Sequence, residues 1–407
     1  MFYVGFTFLD ILEFMAPDLK LKSTIPPLHN TLTHPLRSQA STLASRLHLH
    51  SKKPFYHTFS TMVDYFIDTS ATAPTGDETT VSIITFGNDL LKASVCPSLG
   101  ANLSSLQFKQ QSGTWIETIH RANDFTKPNG DDWEGKTPVL WPAVGRNFTT
   151  TQLEGAAISG KRPDECRYGP DSLEIPLHGF AQNTVWRLVS STASEETGAS
   201  VILEAIPSDA PSQNQEWYPY QWKLEMELRI TGSDLSIDFK VHNTDTKILP
   251  FSIGTHPSFR FPFVPNTDIG ETGLSWGSHT NDLKLTPFSC LNGECNDHSK
   301  AGSLPASTFC DNVLGTSQTE GLNYMDLISP QEGLGIRISQ QKVGESFDEP
   351  SPLYFVNWAD AKQGFFCLEP WCGGPNSLND GSAVQLQPGK MFQWSQTIEL
   401  LQFDKAE

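Results

Sequence analysis

Three short stretches of the 407-residue chain each set one titratable side chain between apolar neighbours and beside glycine or proline. They are "PLHGFAQNTVW" with His178, "IGTHPSFRFPF" with His256 and "FFCLEPWCGG" with Glu369. A carboxylate at the end of Phe365-Phe366-Cys367-Leu368 seldom lies in such surroundings without a partner or a task. Burial can tune imidazole and carboxylate groups toward neutral pH, so two histidines and a glutamate from distant parts of the chain make a workable acid–base set. Each also has a plain structural explanation. A histidine among apolar neighbours is more often a satisfied core residue than a catalyst, and a glutamate before proline can simply end a strand. Zinc is a further chemistry open to two His and one Glu, but the spacing fits no HExxH-type pattern.

The elements that must position these residues are short strands. Trp222, Leu224, Met226, Leu228 and Ile230 alternate with Lys223, Glu225, Glu227 and Arg229; after "TGSD", Leu235, Ile237, Phe239 and Val241 alternate with Ser236, Asp238, Lys240 and His242. Period-two patterning on both sides of a short loop predicts an antiparallel hairpin with one buried face. Similar runs occur at "VSIITF", "LKASVC", "SVILEAI", "LGIRIS", "LYFVNW" and "MFQWSQTIELL". Residues 80–407 show no long amphipathic helix, no repeat of fixed period and no break in composition. These features predict a single all-β domain, a large antiparallel β-sandwich over residues 79–407.

Residues 1–78 read as a poorly ordered N-terminal extension. Its start, "MFYVGFTFLDILEFMAPD", is interrupted by Asp10 and Glu13 and lacks a basic leading region, so it makes a poor signal peptide. The Ser-, His- and Arg-rich segment after it has the composition of a mitochondrial targeting peptide but begins too late for one. No apolar run reaches the ~18 residues a membrane helix needs. The formal net charge of −18 argues against nucleic acid and anionic membranes as partners. Seven scattered cysteines, an odd count, suggest reduced thiols and a cytoplasmic protein rather than a disulfide framework. The sequons at Asn102 and Asn147 read as chance matches. The 25 Phe, 10 Trp and 8 Tyr can fill a core, and some would suit the CH-rich faces of a sugar.

The order of "LGANLSSL", "LWPAVGRNF", "LHGFA", "THPSF", "LEPW" and the closing "LQPGKMFQWSQTIEL" resembles the aldose 1-epimerase (galactose mutarotase) family over roughly residues 80–403. The resemblance implies a supersandwich of antiparallel sheets that interconverts the α and β anomers of an aldose. A base removes the anomeric hydroxyl proton, an acid protonates the ring oxygen, the ring opens, and it recloses on the other face. No metal or cofactor is implied. Position by position, Glu369 matches the family's general base and His256 its general acid. His178 matches the second, sugar-binding histidine, and Arg146 in "VGRN" the substrate-binding arginine. Asp311 in "FCDNVL" matches a sugar-hydroxyl-binding aspartate, with a Cys-Asp-Asn turn as its other reading.

Two branches of the family compete for the substrate. The hexose-6-phosphate mutarotases carry "HGFAR", whereas this chain has Gln182 at the last position. Gln cannot make the charge-assisted bidentate contact that a phosphate favours. A free hexose such as glucose or galactose is therefore the expected substrate, and glucose 6-phosphate the alternative, since "HGFA" and "LEPW" look like the phosphate branch. From other classes, a non-catalytic carbohydrate-binding β-sandwich would not need both His256 and Glu369. A glycosidase usually needs paired carboxylates, of which only one is in evidence.

Overall fold

In the computed structural model the described residues are 63–74, 80–121, 134–264, 273–276, 280–298, 302–305, 312–316, 323–348, 351–360 and 362–403. Residues 1–62, most of the expected extension, lie outside them, and so does Asp311. The strands begin earlier than the 78/79 boundary drawn from the strand pattern. Phe66–Asp68 pairs with Ile84–Gly87, and Thr72–Pro74 pairs with Thr80–Ser82. Tyr65 is tied in as well, its hydroxyl accepting a 3.0 Å hydrogen bond from the Gly232 amide.

Every pairing between the named strands is antiparallel, in three main sheets of nine, eight and five strands. The nine-stranded sheet is built around the expected hairpin. Trp222–Thr231 and Asp234–Asn243 pair in unbroken register from Trp222↔Asn243 to Thr231↔Asp234, with Gly232-Ser233 as the turn. The apolar residues of both strands are buried and their charged neighbours half-buried, as the alternation requires. Met391–Gln402 pairs with the second hairpin strand and with Leu334–Lys342, placing the C-terminal strand in mid-sheet.

The eight-stranded sheet carries Glu369 and, between two of its strands, His256. In its middle, Phe365–Cys372 is flanked by Leu353–Asp360 on one side and by Ile253–Thr255 and Ser258–Arg260 on the other. Its two faces have different fates. Phe366, Leu368, Cys372, Phe355, Ile253 and Phe259 join the main core, shared with the nine-stranded sheet. The opposite face bears Tyr354, Val356 and Trp371, which form a smaller apolar cluster with Leu140, Val144 and Val313. One layer of core therefore backs the strand, and its other face is left for a site.

Among the described residues one helix of useful length, Thr150–Ser159, was not apparent in the sequence. Thr149 caps its N-terminus in a capping box with Gln152, and Gly160 closes it in the left-handed region. Only Ala156 within it is buried, and its largest apolar residue, Ile158, is exposed on the side away from Ala156. Local capping rather than amphipathic patterning specifies it.

Candidate active site

The site follows from strand register. Ile253–Thr255 meets the central strand through Ile253↔Cys372 and Gly254↔Trp371, and beyond Pro257 the chain rejoins it in the same register through Ser258↔Cys367. That register sets His256 opposite Glu369, and directly opposed residues of an antiparallel pair share a face. His256 Nε2 lies 3.2 Å from Glu369 Oε1, the two side chains being 6% and 2% exposed. On the other side of the strand, Val356 stands opposite Glu369 and Trp358 opposite Cys367. Glycine is required at position 254, where a Cβ would come within 2.5 Å of Trp371 Cδ1, so the indole packs directly over the backbone that leads to His256.

His178 and Arg146 arrive on two loops that bind each other. The His178 amide donates to the Gly145 carbonyl (3.3 Å) and the Gly145 amide donates to His178 Nδ1 (3.1 Å). The next turn fixes the second loop: Phe180 and Ala181 both donate to the Trp141 carbonyl. Trp141 itself is clamped in an aromatic cluster with Trp222, Tyr218 and Phe180, at ring separations of 4.6, 5.3 and 5.7 Å. His178 has φ +64°, a conformation costly for any residue but glycine, asparagine or aspartate, and such strain concentrates at functional sites. Gly179 follows at φ +69°, where a Cβ would stand 2.2 Å from the Trp141 carbonyl oxygen.

The Arg146 loop is held from its far side by the turn that follows the central strand. Asn376 donates its amide to the Arg146 carbonyl (2.8 Å) and accepts from the Phe148 amide (2.7 Å). Asn147, between them, is fully buried and accepts from the Leu378 amide. Asn102 is buried too, so neither sequon asparagine is presented to solvent in the fold.

The three predicted titratable residues come together. The His178 ring meets the His256 ring edge-on at 5.6 Å and the Trp371 ring at 5.8 Å; Trp358 stands edge-on to His256 at 5.8 Å. Burial, reinforced by Arg146, pushes His178 down to about 3, which also places Arg146 within electrostatic reach. Burial, and then the neighbouring His178, hold His256 well below the ordinary imidazole value. Both rings are therefore neutral at neutral pH. With Nδ1 of His178 accepting from Gly145, its proton resides on Nε2, which is left as a donor.

Trp358, Trp371 and Cys367 were not singled out from sequence. All three lie in strand-like runs whose alternation is compatible with ordinary core, and only the register brings them onto the face of Glu369. A cavity of about 340 Å³ between the Thr150–Ser159 helix and the Thr286–Leu291 turn is lined chiefly by Leu153, Phe288, Leu291 and Pro375, and none of the candidate residues borders it. Among the described residues no helix is long and apolar enough to cross a membrane.

The family model for aldose 1-epimerase matches residues 82–399. The chromosomal LacX protein of Lactococcus lactis is 24% identical over 307 residues, covering 70% of this chain and 90% of that protein. Among solved structures, a galactose mutarotase-like protein from Clostridium acetobutylicum superposes with a TM-score of 0.63 at 13% identity, covering 84% of this chain and 99% of the other. A second such protein, from Lactobacillus casei, gives 0.60 at 20% identity, with 78% and 99% covered.

Proposed function

The chain belongs to the aldose 1-epimerase family, and from that premise we propose that it is a mutarotase acting on a free hexose such as glucose or galactose. The observation that carries the reading is the 3.2 Å approach of His256 Nε2 to Glu369 Oε1 on a buried sheet face. The anomeric hydroxyl and the ring oxygen are bonded to the same carbon, so the groups serving them must themselves be neighbours. Glu369 takes the hydroxyl proton while His256 gives a proton to the ring oxygen, and the C1–ring-oxygen bond breaks to leave an aldehyde. His256, neutral in the free protein, must take up a proton to act as the acid, so across that step the pair changes from carboxylate and imidazolium to carboxylic acid and imidazole. Burial disfavours the charged forms, so the low-dielectric face assists opening. Rotation about C1–C2 and the reverse exchange give the other anomer.

His178 supplies a neutral N–H donor beside this pair, suited to a sugar oxygen as charge develops on it. Arg146 is the substrate-holding cation, and Trp358 and Trp371 offer ring faces to the sugar's CH groups. The scheme uses no metal or cofactor. Polarimetry on freshly dissolved α-glucose and α-galactose tests it: accelerated mutarotation is expected, whereas sugar binding without acceleration would support the carbohydrate-binding module instead.

One observation favours glucose 6-phosphate as a second reading. Arg260 stands opposite Phe365, on the face of Cys367 and Glu369 but about 13 Å along the strand from Glu369. Burial lowers Arg121, with Glu117 opposing and Arg260 reinforcing, so a second guanidinium lies within electrostatic reach of Arg260. Gln182 and the acidic net charge weigh toward the unphosphorylated sugar. A direct comparison of kcat/KM for glucose and glucose 6-phosphate at several salt concentrations decides between them.

A further inference from the structure

Cys367 has no part in the acid–base scheme, yet it projects into the same face, two residues from Glu369 on the central strand. Its Sγ lies 3.2 Å from Ser258 Oγ, and Trp358 stands opposite it. The ligating atoms of His256, Cys367 and Glu369 all lie within 4.8 Å of one another, and all three residues are buried. We propose that these three residues form a binding site for a thiophilic divalent cation, Zn²⁺ foremost, and that the cation blocks the acid–base pair.

The donor set identifies the class of ion. One imidazole nitrogen, one sulfur and one carboxylate oxygen suit zinc, while magnesium and calcium prefer oxygen ligands alone. Zinc bond lengths of about 2.0–2.3 Å at tetrahedral angles set ligand atoms about 3.4–3.6 Å apart. The His256–Glu369 edge is already 3.2 Å, so the remaining edges need close by no more than about 1.4 Å. His256 ligates through its lone pair, Glu369 as carboxylate and Cys367 as thiolate, its proton leaving to the buffer. Three protein ligands leave a fourth position for water or a sugar hydroxyl. This resembles an open zinc centre, but one that occupies the base and acid instead of serving them.

Binding stands on this geometry alone; the loss of turnover rests on the mutarotase reading. The test uses untagged full-length protein titrated with Co²⁺, whose thiolate-to-metal charge-transfer band reports sulfur ligation. One equivalent should produce the band, Zn²⁺ should displace it, and Zn²⁺ should raise the melting temperature. Cys367→Ser should abolish the band, while Cys295→Ser, at an exposed cysteine, should retain it. His256→Gln keeps the thiol and should weaken Co²⁺ binding at least tenfold, an independent check if Cys367→Ser folds poorly. Histidines of residues 1–62 can bind cobalt only through nitrogen and give no such band. A band that persists in folded Cys367→Ser, or none in the wild type at saturating Co²⁺, overturns the site. Zn²⁺ should inhibit mutarotation in competition with sugar where Mg²⁺ does not, and full activity with Zn²⁺ bound would overturn the blocking role. Zinc binding by a protein that never mutarotates any sugar would instead sink the mutarotase reading and leave the metal site standing.

Discussion

Replacing Glu369 by glutamine removes the proposed base while keeping the shape of the site. The amide is nearly isosteric, and its oxygen can still accept a hydrogen bond from an imidazole N–H at the position where Glu369 Oε1 now lies 3.2 Å from His256 Nε2. The side chain is 2% exposed, so burying a neutral amide in place of a carboxylate adds no desolvation cost. Fold stability should change by less than about 1 kcal/mol, well inside the range of tolerated substitutions. Catalysis should change far more. A positioned acid or base contributes roughly 10²–10⁴-fold, or about 2.7–5.4 kcal/mol of transition-state stabilisation. Mutarotation of fresh α-glucose or α-galactose, followed by polarimetry and checked by NMR exchange between anomeric protons, should fall by at least about a hundredfold in kcat. His256→Ala should fall comparably. In the proposed mechanism the two residues exchange protons through one sugar, so the double variant should be little worse than the worse single one. A folded Glu369→Gln enzyme within tenfold of wild type removes Glu369 from the mechanism. Fully additive losses in the double variant would show that the residues do not act as a pair.

Gly179→Ala places a Cβ 2.2 Å from the Trp141 carbonyl at φ +69°, so it should lower the urea-unfolding free energy by at least about 2 kcal/mol. A midpoint unchanged from wild type would mean that the loop relaxes freely. His256 and His178 are both held below the ordinary imidazole value, so below about pH 6.5 the unfolded chain binds more protons than the folded one. The stability they contribute is complete above that pH and is lost as pH falls, by up to about 1.4 kcal/mol per pH unit for each ring. Urea midpoints between pH 7 and 5 should therefore fall less steeply in His178→Asn than in the wild type, and equal slopes would refute a neutral His178. Gln182→Arg should shift the kcat/KM ratio toward glucose 6-phosphate by about 1.5–3 kcal/mol if a charged hydrogen bond forms. If the wild type already prefers the phosphate with steep salt dependence, Arg260→Gln should remove that preference.

The sandwich was legible where one face of a strand is buried and the other is not, because alternation is then imposed residue by residue. The Trp222–Asn243 hairpin was therefore readable down to its turn. The eight-stranded sheet was less so. Phe365–Cys372 is buried at all eight positions, and a strand covered on both faces has no period to read. The Thr150–Ser159 helix was invisible for the converse reason, being specified by its caps rather than by an apolar stripe. Of the site, Glu369, His256, His178 and Arg146 could be named from short motifs. Their mutual distances could not, since these depend on strand register and loop contacts between segments far apart in the chain. Asp311 lies outside the described residues and keeps its status as an expectation.

Two prolines in the quoted motifs do carry a physical signal of the site. Pro370 lies inside a central strand, where it cannot donate to the ladder, and Pro257 interrupts the neighbouring strand between Thr255 and Ser258. Proline is normally confined to edges, strand starts and bulges, so an interior one costs a hydrogen bond and asks for a reason. The register puts Thr255 opposite Pro370 and Pro257 opposite Leu368, which brackets the His256–Glu369 row with a missing donor on either side. The ladder thus lacks a donor on each side of the row proposed to carry the chemistry, while the flanking pairs, Ile253↔Cys372 and Arg260↔Phe365, hold the strands in place. Restoring the donor tests this directly. Pro257→Ala should leave stability unchanged or slightly raised, because a ladder bond becomes available, yet lower kcat as the imidazole is drawn into a regular strand. Unaltered turnover with unaltered stability would mean that the prolines are incidental and that register alone positions the pair.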